Sequence, residues 1–211
     1  MQSQKADFLI EVGEYYTSKL AQYGETPRGV DWNGEASQTA RFEQLCKIIE
    51  TSDPFSVTDL GCGYGALYDF LAHRFKSFSY LGIDVSEAMV RVANQRHPTI
   101  GQARFVHSSD LGEVADYGIA SGIFNVRLTR SDEDWWSYIT TTLEAFNRTS
   151  RLGFAFNCLS SYSDADKMRG HLYYADPCVL FDLCKRRYSR NVALLHDYEL
   201  YEFTILVRKR A

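Results

Sequence analysis

The stretch Val57-Thr58-Asp59-Leu60-Gly61-Cys62-Gly63-Tyr64-Gly65-Ala66-Leu67 restricts the fold more than any other part of the chain. It reads as a strand that runs into three closely spaced glycines and leaves them as a helix. Glycine permits positive φ and carries no Cβ, so a ligand can lie against bare backbone there. Gly61-x-Gly63-x-x-Ala66 fits a dinucleotide fingerprint, and Asp84 supplies the acidic residue expected about 20 positions later. Two features favour a different ligand. Asp59 stands two residues before the first glycine, and Phe105-Val106-His107-Ser108-Ser109-Asp110-Leu111 brings a further carboxylate to the mouth of the sheet. A pyrophosphate disfavours such neighbours, whereas a cationic ligand is attracted to them.

Around this loop, short apolar runs alternate with helical segments. Ser56–Leu60, Ser79–Ile83, Ala103–His107, Tyr117–Ile123 and Arg151–Asn157 read as buried strands. Helical stretches carry Leu67/Phe70/Leu71, Met89/Val92/Ala93 and Trp135/Ile139/Leu143/Phe146. Ser86, Ser131 (with Asp134 three residues on) and Asp176 before Pro177 mark helix starts. This alternation predicts an α/β fold with a mainly parallel, twisted sheet. The C-terminus departs from it: Ser189–Leu195 and Tyr201–Lys209 are strand-like and separated only by His196-Asp197-Tyr198-Glu199-Leu200. So short a connection cannot hold a parallel crossover, and the last strand must run antiparallel to its predecessor. Upstream, the spacing predicts a helix over Lys5–Leu20, a Gly/Pro-marked loop, and a second helix from near Ser37. Residues 1–50 are expected to form a helical cap on residues 51–211, the whole making one compact domain.

Composition narrows the class. Apolar residues are 45% and charged residues 24% of the chain, the balance of a globular protein. With 23 Lys and Arg against 27 Asp and Glu, the net charge of −4 argues against a nucleic-acid partner. No apolar stretch approaches the roughly 20 residues that span a bilayer, and no signal pattern opens the chain. The cysteines Cys46, Cys62, Cys158, Cys178 and Cys184 are scattered without a C-x-x-C pair, as in a reduced, cytoplasmic protein. No His/Asp/Glu arrangement suggests a metal site.

The sequence resembles the class I S-adenosylmethionine-dependent methyltransferase family, from about Thr51 to the C-terminus in strand order. The resemblance rests on Asp59 to Gly65, on Leu81-Gly82-Ile83-Asp84-Val85-Ser86-Glu87-Ala88-Met89, and on Ser109-Asp110-Leu111. It implies a Rossmann-like, doubly wound, seven-stranded, mainly parallel sheet with a C-terminal antiparallel hairpin strand. It also implies S-adenosyl-L-methionine as cofactor and methyl transfer as the reaction. Gly61, Gly63 and Gly65 would face the methionine portion and ribose, and Asp84 would take the ribose hydroxyls. Asp110 would accept from the adenine amino group, with Val85 and Leu111 on the ring faces. Asp59 would sit near the methionine ammonium; Cys62, Ser109 and Ser121 complete the expected cofactor set. On the bland reading, Asp84 belongs to a loop before a helix cap and Asp110 caps a short segment.

An acceptor would bind outside the carboxyl ends of the strands. Tyr15, Tyr16, Trp32 and Asn33 from the cap, Asn125 after the fourth strand, Asn157 on the fifth, nearby Tyr162, and Tyr198 in the hairpin fall there. His196, with a reference pKa near 6.5, is the candidate general base; its alternative is a hydrogen bond within its own turn. Arg41 is expected either against the cofactor carboxylate or on a solvated surface. The leading expectation is methyl transfer to an O or N atom of a small molecule. Alternatives are an RNA- or protein-modifying methyltransferase and a non-catalytic S-adenosylmethionine-binding protein, with an NAD-linked oxidoreductase behind them. The oligomeric state is not legible in the sequence.

Overall fold

The computed structural model describes residues 2–98 and 101–209. Seven strands form one sheet: β1 (Phe55–Leu60), β2 (Phe78–Asp84), β3 (Ala103–His107), β4 (Ala115–Ala120), β5 (Ser150–Leu159), β6 (Asn191–Leu195) and β7 (Glu202–Arg208). Their spatial order is β3-β2-β1-β4-β5-β7-β6. The pairs from β3 to β5 are parallel, while β7 runs antiparallel to both β5 and β6. The reversed strand is thus not at the edge. It lies inside the sheet, and its six residues from Glu202 to Val207 are all buried.

The helices are α1 (Gln2–Tyr23), α2 (Glu35–Leu45), α3 (Ala66–Arg74), α4 (Glu87–Arg96), α5 (Asp132–Thr149) and α6 (Pro177–Arg187). Three of them start where the sequence marks a cap. Ser86 Oγ accepts from the Met89 amide at 3.2 Å, and Ser131 Oγ from the Asp134 amide at 3.1 Å. Asp176 Oδ1 accepts from Cys178 and Val179, with Pro177 in the first turn. One face of the sheet packs Leu60, Ile83, Phe154 and Phe156 against Trp135, Ile139 and Phe146 of α5, joined by Phe8 and Leu9 of α1. The opposite face packs Val57, Tyr80 and Ile119 against Leu45 of α2, Leu67 and Leu71 of α3 and Ala93 of α4. Trp135 is fully buried and Trp136 half-buried. No helix among the described residues is long and apolar enough to cross a membrane.

Several boundaries differ from the sequence reading. The fourth strand ends at Ala120 rather than Ile123, because Gly122 turns the chain at φ +79°. α1 is longer at both ends than Lys5–Leu20, and α2 begins at Glu35 rather than near Ser37. The register then sets the site. Leu60 lies level with Ile83 on one side and Ala120 on the other, so residues 61–65 and 121–123 leave the sheet together beside Asp84, the last residue of β2. Strand order reverses between β1 and β4, which is where an open α/β sheet offers a crevice.

Candidate active site

A cavity of about 580 Å³ lies at that crevice. Its floor is the turn after β1. The Gly61 and Cys62 amides both donate to the Ile83 carbonyl, at 2.7 and 3.1 Å, which folds the loop over β2. Gly61, Gly63 and Gly65 have φ of +79°, +53° and +88°, a region that costs any other residue energy. A Cβ on Gly61 would stand 2.3 Å from Ile123 Cγ2, so only bare backbone fits. Gly65 does not line the cavity: it caps α3, and a Cβ there would crowd Phe105 and His97.

The carboxylates converge as follows. Asp84 is buried; its Oδ2 accepts from the Gly63 amide at 2.8 Å and its Oδ1 from the Ser86 amide at 2.8 Å. Burial pushes its carboxyl up, and those amides oppose the shift. Asp59, 2% exposed, accepts from the Tyr80 hydroxyl through Oδ2 at 2.5 Å. Its Oδ1 is buried without a partner among the described residues, as is Ser121 Oγ, and both residues line the cavity. Burial raises the Asp59 carboxyl to about 7, with the charge of Asp84 adding and the Tyr80 hydrogen bond opposing. Asp110 is exposed at the rim, its Oδ1 accepting from the Gly112 amide at 3.2 Å.

Orphaned acceptors beside a bare glycine turn call for a ligand that brings its own donors and positive charge. The methyltransferase domain family matches residues 57–142. Rv1506c of Mycobacterium tuberculosis, a methyltransferase by description alone, is 60% identical over 163 residues, covering 77% of this chain and 98% of the relative. The chain belongs to the class I S-adenosylmethionine-dependent methyltransferases. A trans-aconitate 2-methyltransferase of Variovorax paradoxus is 34% identical over 94 residues, which is 42% of this chain and only 34% of that enzyme. In fold, the methyltransferase is similar to the N-methyltransferase NodS of Bradyrhizobium japonicum, solved with S-adenosyl-L-homocysteine. The TM-score is 0.66 at 15% identity, covering 94% of this chain and 98% of that one. DhpI, also solved with that thioether, gives a TM-score of 0.64 at 13% identity, covering 96% and 97%.

Of the residues singled out in the sequence for the cofactor, the methyltransferase brings Asp59, Gly61, Cys62, Gly63, Asp84, Val85, Ser109, Asp110, Leu111 and Ser121 to the cavity. The acceptor set divides. Trp32 lines the cavity; Tyr15 does not, and its hydroxyl donates to Asp31 Oδ2 at 2.6 Å. Of the two tyrosines expected there, only Tyr16 lines the cavity, and the helical period explains why: Leu9, Val12 and Tyr16 form the inward stripe of α1, and Tyr15 is rotated off it. Asn33 and Tyr162 are exposed and off the cavity.

Asn125 and Asn157 are buried, but their amides bind Glu202 rather than face the cavity. Tyr198 shares a hydrogen bond of 3.0 Å with Thr204. His196 is exposed, its ring about 6 Å from those of Tyr162 and Phe203. Neither hairpin residue lines the cavity, and the reason is topological. β7 separates β6 from β5, so the hairpin turn emerges three strand spacings from β4, about 14 Å away.

Arg41 is not on a solvated surface: it is buried, paired with Glu202 and off the cavity lining. Gln38, Phe42, Tyr138 and Thr142 line the cavity without having been singled out. Tyr138 and Thr142 each lie one position before the core stripe Ile139/Leu143, which is the signal that could have found them.

Proposed function

We propose that this methyltransferase transfers the methyl group to an oxygen or nitrogen of a small-molecule acceptor held beneath α1 and Trp32. The observation that carries the reading is that α1 lays Leu9, Val12 and Tyr16 over the same cavity that holds Asp59, Asp84 and the glycine turn. A site roofed in this way suits a small acceptor that can be enclosed and dried.

S-adenosylmethionine, when bound, supplies a methyl group on positively charged sulfur that is open to in-line displacement. Asp84 would hold the ribose: a carboxylate offers about four lone-pair sites, and the two backbone amides leave room for two hydroxyls. Asp59 Oδ1 would meet the ammonium, and Asp110 the adenine amino group between Val85 and Leu111. Gly61 and Gly63 give the methionine portion its bare floor, and Cys62, Ser109 and Ser121 fill the remaining wall. Tyr16, Trp32 and Ile123 would orient the acceptor and exclude water, which can lower a bimolecular barrier by several kcal/mol through proximity.

The titration states favour acceptors with a ready lone pair. Burial holds the Tyr16 and Tyr138 phenols well above their ordinary value, so they stay protonated. No histidine lines the cavity among the described residues. A neutral amine or a carboxylate needs no base, and the partial likeness to trans-aconitate 2-methyltransferase supports a small acid.

The test runs in two steps. Calorimetry with S-adenosylhomocysteine and NAD in parallel should show binding of the thioether alone. A panel of small amines and carboxylic acids with labelled S-adenosylmethionine should then yield methylated product. Transfer confined to RNA or protein would overturn the acceptor class.

A further inference from the structure

One wall of the cavity is built outward from a buried carboxylate. Glu202 opens β7 and is 1% exposed. Arg41 Nε, from α2, donates to its Oε2 at 2.7 Å, and Asn157 Nδ2 donates to the same oxygen at 2.9 Å. Asn125 Nδ2 donates to Oε1 at 3.1 Å. The two amide oxygens then reach backbone: Asn157 Oδ1 accepts from the Gly122 amide at 2.7 Å, and Asn125 Oδ1 from the Leu159 amide at 2.9 Å. One carboxylate therefore ties α2, the turn after β4 and the end of β5 together.

The other side of Arg41 completes a loop of contacts. Its guanidinium carbon lies 3.9 Å from the centre of the Trp32 ring, and Nη1 donates to the Ser37 carbonyl at 2.7 Å. The Trp32 ring in turn packs on Gly122, where a Cβ would stand 2.5 Å from its atoms. Trp32 and Gly122 both line the cavity. Stability is a poor explanation for such a cluster, since well-packed apolar residues commonly replace a buried ion pair at no cost. Fixing one arrangement is a better one.

We propose that Glu202 and Arg41 are positioning residues for methyl transfer: Glu202 fixes the Gly122 amide through Asn157, while Arg41 clamps Trp32 onto that same glycine. The wall facing the cofactor is thereby preformed rather than assembled on binding. This rests on the cavity being the S-adenosylmethionine site.

The test compares wild type, R41M, R41K, E202Q and W32A by S-adenosylhomocysteine calorimetry and by hydrogen exchange. R41M and E202Q should lower affinity by about tenfold or more, because the Trp32–Gly122 wall must then be ordered on binding. Amides in 26–38 and 119–127 should exchange faster together, while those of β1 and β2 stay protected. R41K keeps the ion pair but loses the flat stack, so only 26–38 should loosen. W32A should reproduce the affinity loss without loosening 119–127. R41M binding within twofold of wild type with both segments protected would overturn the proposal, as would exchange rising uniformly through the sheet. Should E202Q not fold, R41M and R41K decide. If wild type itself fails to bind the thioether, the cofactor reading falls, and the paired exchange of the two segments still tests the clamp.

Discussion

The Tyr80 hydroxyl donates to Asp59 Oδ2 at 2.5 Å, while the opposite oxygen of that carboxylate is buried at the cavity wall with no partner among the described residues. Burial raises this carboxyl from its ordinary 3.8 to about 7. An acid shifted upward binds its proton more readily in the folded chain. Its contribution to stability is therefore fully present below about pH 4 and is lost as pH rises through about 7. The ligand-free protein should lose stability over that window, and D59N should flatten the loss. A cationic ammonium favours the charged carboxylate, so affinity for S-adenosylhomocysteine should fall by up to about tenfold per pH unit below 7. Calorimetry in buffers of different ionisation enthalpy should detect a proton released on binding below that pH. No proton release would remove Asp59 from the ammonium site.

Asp84→Ala removes the acceptor of two buried amides as well as the proposed ribose clamp. Leaving buried donors unpaired costs about 1–3 kcal/mol each, so thermal stability should drop along with affinity. D84N retains one acceptor oxygen and should recover part of the stability while affinity stays at least tenfold reduced. Unchanged thioether affinity in D84N would show that both oxygens serve the loop alone.

Gly61→Ala faces two penalties that a second substitution separates. A φ of +79° strains any L-residue, and the new methyl would stand 2.3 Å from Ile123 Cγ2. The single variant should lose about 1–3 kcal/mol. Adding I123A should restore the steric part and leave the backbone part, read by denaturant unfolding. Full recovery in the double variant would mean that the turn tolerates alanine.

The parts legible in the sequence are those written locally. The strand–glycine–helix turn, the acidic strand tips, three helix caps and the short terminal hairpin each depend on residues within a few positions of one another. What was hidden depends on distance along the chain. Arg41 and Glu202 are 161 residues apart, and nothing near either announces the other. Asn125 and Asn157 sit at the correct end of the sheet, yet a buried carboxylate takes their amides before any ligand can. The choice between Tyr15 and Tyr16 needed the rotation of α1, which spacing alone fixes only to within a residue.

His196 tests the topological argument. Its turn emerges beyond β7, exposed and off the cavity. H196A should leave both thioether affinity and turnover, once an acceptor is in hand, within about twofold of wild type, as for surface substitutions elsewhere. A loss of a hundredfold in turnover, within the range of a removed general base, would return His196 to the site.

Gly13 reverses the ordinary rule for helices. An interior glycine weakens a helix by about 0.5–1 kcal/mol relative to alanine, so propensity alone favours G13A. In the fold, α1 crosses the turn before α4, with Thr17 Oγ1 and Ser86 Oγ 2.8 Å apart, and a Cβ on Gly13 would stand 2.7 Å from the Val85 carbonyl oxygen. That neighbour is backbone and cannot step aside as a side chain would, and overpacking of this kind costs about 1–3 kcal/mol. G13A should therefore lower the melting temperature despite its better propensity. By lifting α1, and with it Leu9, Val12 and Tyr16, it should also weaken S-adenosylhomocysteine binding several-fold. Raised stability with unaltered affinity would show that α1 does not press on the Val85 turn.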